Sequence, residues 1–138
     1  MQKILAVALL GLALLAPATT ADDAAIAEAE KAARVWLAEV DGGDYGASWE
    51  HAAELFRNAV TKEAWQQQLG TARGALGAVG KRTLRSTTFT RTLPGAPDGE
   101  YVVILYDTSF ANKANAVETI TPMRDPDGVW RVSGYYIR

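Results

Sequence analysis

Two carboxylates, Asp107 and Glu118, lie in stretches where acidic and apolar residues alternate. Asp107 follows Val103 and Leu105 at two-residue steps, and Glu118 precedes Ile120 in the same way. A carboxyl group held among apolar side chains has its pKa raised by lost hydration and can act as a general acid or base. Tyr45 or Tyr106 could donate a hydrogen bond to an enolate oxygen, so the chemistry in view is cofactor-free isomerisation or hydration. The competing arrangement is that both carboxylates face solvent or are neutralised by Arg73, Arg82 or Arg131. These arginines, with Trp36 and Trp49, are also the candidate contacts for a bound ligand.

Other chemistries find less support. His51 is the single histidine, and helical spacing sets it beside Glu54 and Asn58, away from Trp49 and Phe56. With no cysteine, neither a thiolate zinc site nor a Cys/His dyad can be assembled. Asp125-Pro126-Asp127-Gly128 opens like a calcium loop, yet Tyr136 stands where such a loop needs a bidentate glutamate. It reads as a hairpin turn. No metal and no cofactor is expected.

These residues need elements to hold them. Over 22–40 the apolar positions Ile26, Ala29, Ala33, Trp36, Leu37 and Val40 recur at steps of three and four, which predicts an amphipathic helix. Asp41-Gly42-Gly43 ends it, and Asp44 is placed to cap a second helix over 45–60 that aligns Tyr45, Trp49, Ala52, Ala53, Phe56 and Val60. Thr61 can cap a third, with Trp65, Leu69, Ala72 and Leu76 on one face before Gly77. The pattern then changes to β-branched and aromatic residues, predicting strands over 82–93, 101–110, 116–123 and 129–137. Their short connections suit antiparallel neighbours, and Gly134 marks a bend or bulge in the last strand. The expected fold class is α+β, with N-terminal helices packed on a curved four-stranded antiparallel sheet.

The chain of 138 residues begins with Lys3, an uncharged, mostly apolar run over 4–16, Pro17 and small residues up to Ala21. That order is expected of a cleavable secretory signal over 1–21, cut after Ala21 or after Ala18. A single domain over 22–138 would remain. With no cysteine to carry a lipid and an apolar run short of a spanning helix, no membrane association is expected after cleavage. Without Lys3, 13 Lys and Arg stand against 16 Asp and Glu, which gives no electrostatic reason to expect nucleic acid. The four tryptophans Trp36, Trp49, Trp65 and Trp130 are expected to build the core first and any ligand platform second.

From residue 35 onward the chain carries Trp36-Leu37, Asp41, Gly43-Asp44-Tyr45 and Ser48-Trp49, then LPGAPDGEY over 93–101 and DGVWRVSGYYI over 127–137. This pattern resembles a family of exported bacterial proteins known only as a domain of unknown function. The resemblance implies a Gram-negative periplasmic location and a fold similar to the nuclear-transport-factor-two-like, or cystatin-like, superfamily, in which helices pack into a cone-shaped sheet. It implies no catalytic residues. The leading expectation is a non-catalytic periplasmic module that holds a small apolar or amphipathic ligand in the cone or binds another periplasmic protein. The alternative is an isomerase or hydratase of ketosteroid-isomerase type using Asp107 or Glu118. Homodimerisation through the sheet is a third possibility.

Overall fold

The computed structural model describes residues 20–138, so the expected signal over 1–21 lies almost wholly outside the described residues. Four helices precede four strands: α1 (Ala21–Asp41), α2 (Tyr45–Glu50), α3 (Glu54–Ala59), α4 (Lys62–Leu76), β1 (Val79–Thr90), β2 (Tyr101–Phe110), β3 (Lys113–Arg124) and β4 (Trp130–Ile137). The strands form one antiparallel sheet in the order β1-β2-β3-β4. Helices over one face of an antiparallel sheet are the expected α+β arrangement.

Helix α1 starts where the Thr20 hydroxyl accepts the Asp23 N–H while the Asp23 carboxylate accepts the Thr20 N–H. Its apolar stripe buries Ala29, Ala33, Trp36, Leu37 and Val40. The predicted second helix is two short ones. Between them Ala52 and Ala53 are fully buried, and the Ala53 N–H donates to the Val132 carbonyl of β4 at 2.8 Å. A backbone amide used against the sheet edge cannot also serve a continuous helix, so the break is the means by which the helical layer is fastened to β4.

Irregularities of register interrupt all three ladders, and such bulges bend a sheet. In β3 and β4 the shift falls between Thr121 and Pro122, beside the Thr121–Gly134 pair, where proline has no N–H for the ladder. β1 ends earlier than predicted because the Thr90 hydroxyl bonds to both the N–H and the carbonyl of Thr92, turning the chain. β3 begins earlier than predicted, since the turn from β2 takes up only Ala111 and Asn112.

That turn docks on the end of α4: Asn112 donates its backbone N–H to the Leu76 carbonyl at 2.9 Å and its side-chain amide to the Ala75 carbonyl at 3.1 Å. The approach is possible because Gly77 has φ +76°, and a Cβ there would lie 3.1 Å from both the Ala111 Cβ and the Asn112 amide nitrogen. Gly77→Ala will therefore lower stability by roughly 1–3 kcal/mol, the cost of holding a non-glycine residue in this conformation. Urea unfolding checks it, and an unchanged midpoint would contradict the docking argument.

The core lies between the helices and the inner sheet face, with Trp36, Leu37, Val40, Trp65 and Leu69 against Val102, Ile104, Tyr106, Ile120 and Val132. The Trp36 ring meets Tyr135 edge-on at 5.1 Å, and Trp65 meets Phe56 edge-on at 4.7 Å.

Candidate functional site

Glu118 is wholly buried on the inner face, in phase with Ile120, and it is paired with Arg82, the competing arrangement that the sequence offered. Four donors surround its carboxylate: Arg82 Nε at 2.6 Å and Nη2 at 3.1 Å, the Thr108 hydroxyl at 2.5 Å, and the Tyr135 hydroxyl. Arg82 spans onward to Asp41 at the end of α1, with contacts of 2.8 and 3.0 Å, and Arg73 of α4 reaches the same carboxylate at 2.8 Å. Arg73 also lies over the Phe110 ring, 5.0 Å from its centroid. Two guanidinium groups and two carboxylates thus join α1, α4, β1 and β3.

A carboxylate offers about four lone-pair sites. Those of Glu118 are all occupied by donors of the chain itself, so none is left to take a proton from a substrate. Burial pushes Asp41 up, but the hydrogen bonds and charges of Arg82 and Arg73 outweigh it and hold the carboxyl below its ordinary value. Tyr135 is driven well above the usual phenol range by burial, then by the charge of Glu118 and its hydrogen bond to it.

These shifts fix the response to pH. Asp41 is lowered in the folded state, so its stabilising contribution is complete above the unfolded carboxyl pKa of about 4 and is lost as pH falls through its folded value. Tyr135 is raised, so its contribution is complete below the unfolded phenol pKa of about 10 and declines above it. Stability should be flat between these limits and fall on both sides. In Tyr135→Phe the alkaline decline should be shallower, although Tyr101 and Tyr106, both raised first by burial, will preserve part of it. Denaturant midpoints across pH would show this, and an alkaline limb identical to that of the parent would refute it.

Asp107 is not with Glu118. It lies on the outer sheet face with its side chain 50 % exposed, paired to Arg85 at 2.7 Å. β2 is apolar on both faces, so the run from Val102 to Leu105 fits either phase, and the inner phase belongs to Val102, Ile104, Tyr106 and Thr108. Tyr45 is held elsewhere, with its ring against Gly70 of α4, whereas Tyr106 is the cross-strand neighbour of Glu118. The tyrosine that reaches the carboxylate is Tyr135.

The other candidates hold the structure together. Trp36 donates its indole N–H to the Ser48 carbonyl, and Trp49 donates to the Val60 carbonyl, each at 2.8 Å. The buried Ser48 hydroxyl accepts the Trp65 indole N–H at 3.0 Å and donates to the Tyr45 carbonyl at 2.7 Å. Arg131 is committed to Asp125 and Asp127 of the β3–β4 turn, with contacts of 2.8 to 2.9 Å. That turn closes on Gly128, whose N–H donates to the Asp125 carbonyl at 2.8 Å. Among the described residues no group of three or more His, Asp or Glu is placed to hold a metal ion.

An open concavity of about 920 Å³ lies elsewhere, between α1 and the β3–β4 hairpin. Ala24, Ala25, Ala32 and Val35 line it from the helix, and Val129, Trp130 and Val132 from the hairpin. Val35 is 61 % exposed and Val129 48 %. Glu39 and His51 also line the groove, joined by a hydrogen bond between Oε1 and Nδ1. Sequence periodicity had no means of finding this place, since Val35 falls outside the stripe that α1 buries and Val129 stands beside a turn glycine.

Fold and site together define a small α+β domain with a network of arginines and carboxylates inside and a largely apolar groove outside. The chain belongs to the family described as a protein of unknown function (DUF4019), which matches residues 32–135. Among solved structures, that of Aln2 from a Streptomyces species is similar, with a TM-score of 0.50 and 17 % identity over 81 % of this chain and 88 % of that one. The likeness shows a shared fold. No curated protein matches the chain.

Proposed function

We propose that this protein is an exported, non-catalytic binding module whose ligand lies in the groove between α1 and the β3–β4 hairpin. The observation that carries the reading is the pair of exposed valines, Val35 and Val129, on the two walls of a groove of about 920 Å³. Concave, largely apolar sites of this size are where small ligands bind. The interior argues in the same direction: aromatic side chains fill the space above the sheet, and the buried carboxylate has no lone pair to spare.

An apolar fluorescent dye titrated into the purified protein tests it. The dye should bind with Val35 and Val129 at the contact, and the double variant Val35→Asp/Val129→Asp should lose binding while keeping the parent circular dichroism and unfolding midpoint. Equal binding by parent and double variant would place the ligand elsewhere. The proposed location is the Gram-negative periplasm, supported by the leader pattern over 1–21. Osmotic-shock release of a chain beginning at Asp22 or Thr19 is the expected result, and an intact Met1 would oppose it.

A further inference from the structure

We infer that two copies of this chain pair through the outer faces of their sheets, about a two-fold axis that crosses the strands at the level of Tyr135. The first observation is a glycine with no use inside the chain. Gly134 is not among the glycines of positive φ, and a Cβ added there would meet nothing within 4 Å. The nearby register shift makes Ser133, not Gly134, the extra residue. Neither conformation nor packing within one copy asks for glycine, which weakens a strand and otherwise marks a place where another backbone or a ligand comes close. Two residues on, Tyr136 lies on the same face and is 57 % exposed.

A two-fold axis across the strands carries each residue above it onto the one equally far below on the same strand of the other copy. Tyr136 of each copy thereby falls on Gly134 of the other. Leu105 and Thr119, which share the row of Tyr136, fall on Val103 and Thr121 in the row of Gly134, a larger row against a smaller one. Such a pairing is isologous and closes on itself.

The two ends of the face match in the same sense. At one end the loop over 93–99 folds across Tyr101, which is buried outside the inner core and donates its hydroxyl to the Pro97 carbonyl at 2.6 Å. At the other end β1, β2 and β3 leave a hollow of about 360 Å³, with Lys81, Thr83, Asp107, Asn115 and Val117 in its lining. The axis brings the loop of each copy to the hollow of the other. The charges agree: the loop carries the exposed Asp98, whereas Arg85 neutralises Asp107 and leaves Lys81 to set the sign of the hollow. Four strands about 4.8 Å apart and about ten residues long at about 3.3 Å per residue make a face of roughly 19 by 33 Å, so two such faces bury roughly 1,250 Å², within the range of specific interfaces.

Sedimentation velocity of the purified protein over a concentration series tests the inference. The parent should sediment with the mass of two chains and return to one on dilution. Gly134→Val, whose side chain has open space in a single copy and suits a strand, should raise the dimer dissociation constant at least roughly tenfold and keep the parent circular dichroism. Tyr136→Ser should act in the same direction. Asp98→Lys and Lys81→Asp should each weaken pairing by roughly tenfold, through like charges at two symmetric contacts, and the chain carrying both reversals should regain the parent behaviour. A single-chain mass at every concentration overturns the inference, as does a dimer that Gly134→Val and Tyr136→Ser leave intact. Single reversals without effect, or a double reversal that fails to restore pairing, overturn the two-fold arrangement.

Discussion

Replacing Arg82 by methionine should lower the free energy of unfolding by about 3–5 kcal/mol, because it leaves a buried carboxylate without its counter-charge. Glu118 has no solvent contact, and two of its four hydrogen bonds come from Arg82. The same substitution removes two of the three arginine bonds to Asp41. The partially exposed Asp41 retains Arg73 and water, so the loss is concentrated at Glu118. The double variant Arg82→Met/Glu118→Leu should recover most of the stability, since replacing a whole buried pair by apolar groups of similar volume is often neutral. Urea unfolding of the parent and the variants decides this. A single variant within about 1 kcal/mol of the parent would mean that the network is held together by Thr108 and Tyr135 rather than by charge.

Glu118 shares its inward phase with Ala116, Ile120 and Pro122 at two-residue steps, although Thr119 between them is buried too, so alternation alone left the inner face of β3 open. The phase of Asp107 was no better marked, since Val103 and Leu105 are half-buried on the outer face and copy the pattern of an inner one. The arginine partners of Glu118 were foreseeable as types, and Arg82 is indeed among those the sequence offered. Asp41 was hidden by its other role, as the last residue before the glycines that end α1. Its carboxylate meets Arg82 across 41 positions of sequence, a separation no local pattern encodes. Helices α1 and α4 were legible through apolar stripes and caps, whereas the break at Ala52-Ala53 was not. Alanine continues a helical stripe as well as any residue, and only the distant β4 edge gives its N–H another use.

The same distance argument separates the interior from the groove. Glu118, Arg82 and Asp41 satisfy one another, whereas Arg73 bonds Asp41 through Nη2 alone and keeps Nε and Nη1 buried without a hydrogen-bond partner. Glu39, on the same helix as Asp41, bonds His51 through one oxygen and buries the other without a hydrogen-bond partner. Glu118 is closed to solvent, and the groove is open to it.

Trp36→Ala should cost about 3–5 kcal/mol, the range for removing a large buried aromatic from a packed core. Three losses combine. The indole leaves its edge contact with Tyr135 and its tilted contact with Trp65, at 5.1 and 6.2 Å between centroids. The Ser48 carbonyl loses the donor that ties α1 to α2. Tyr135, whose hydroxyl bonds Glu118, loses the ring that keeps it in place, so the vacancy adjoins the polar network. Dry apolar vacancies of this kind accept small aromatic molecules. Millimolar indole should therefore raise the thermal midpoint of Trp36→Ala and leave the parent unchanged. If indole has no effect on the variant while the midpoint has fallen, the helices have closed over the vacancy, and the cost should then lie at the lower end of that range, because a collapsed site leaves less cavity to sustain.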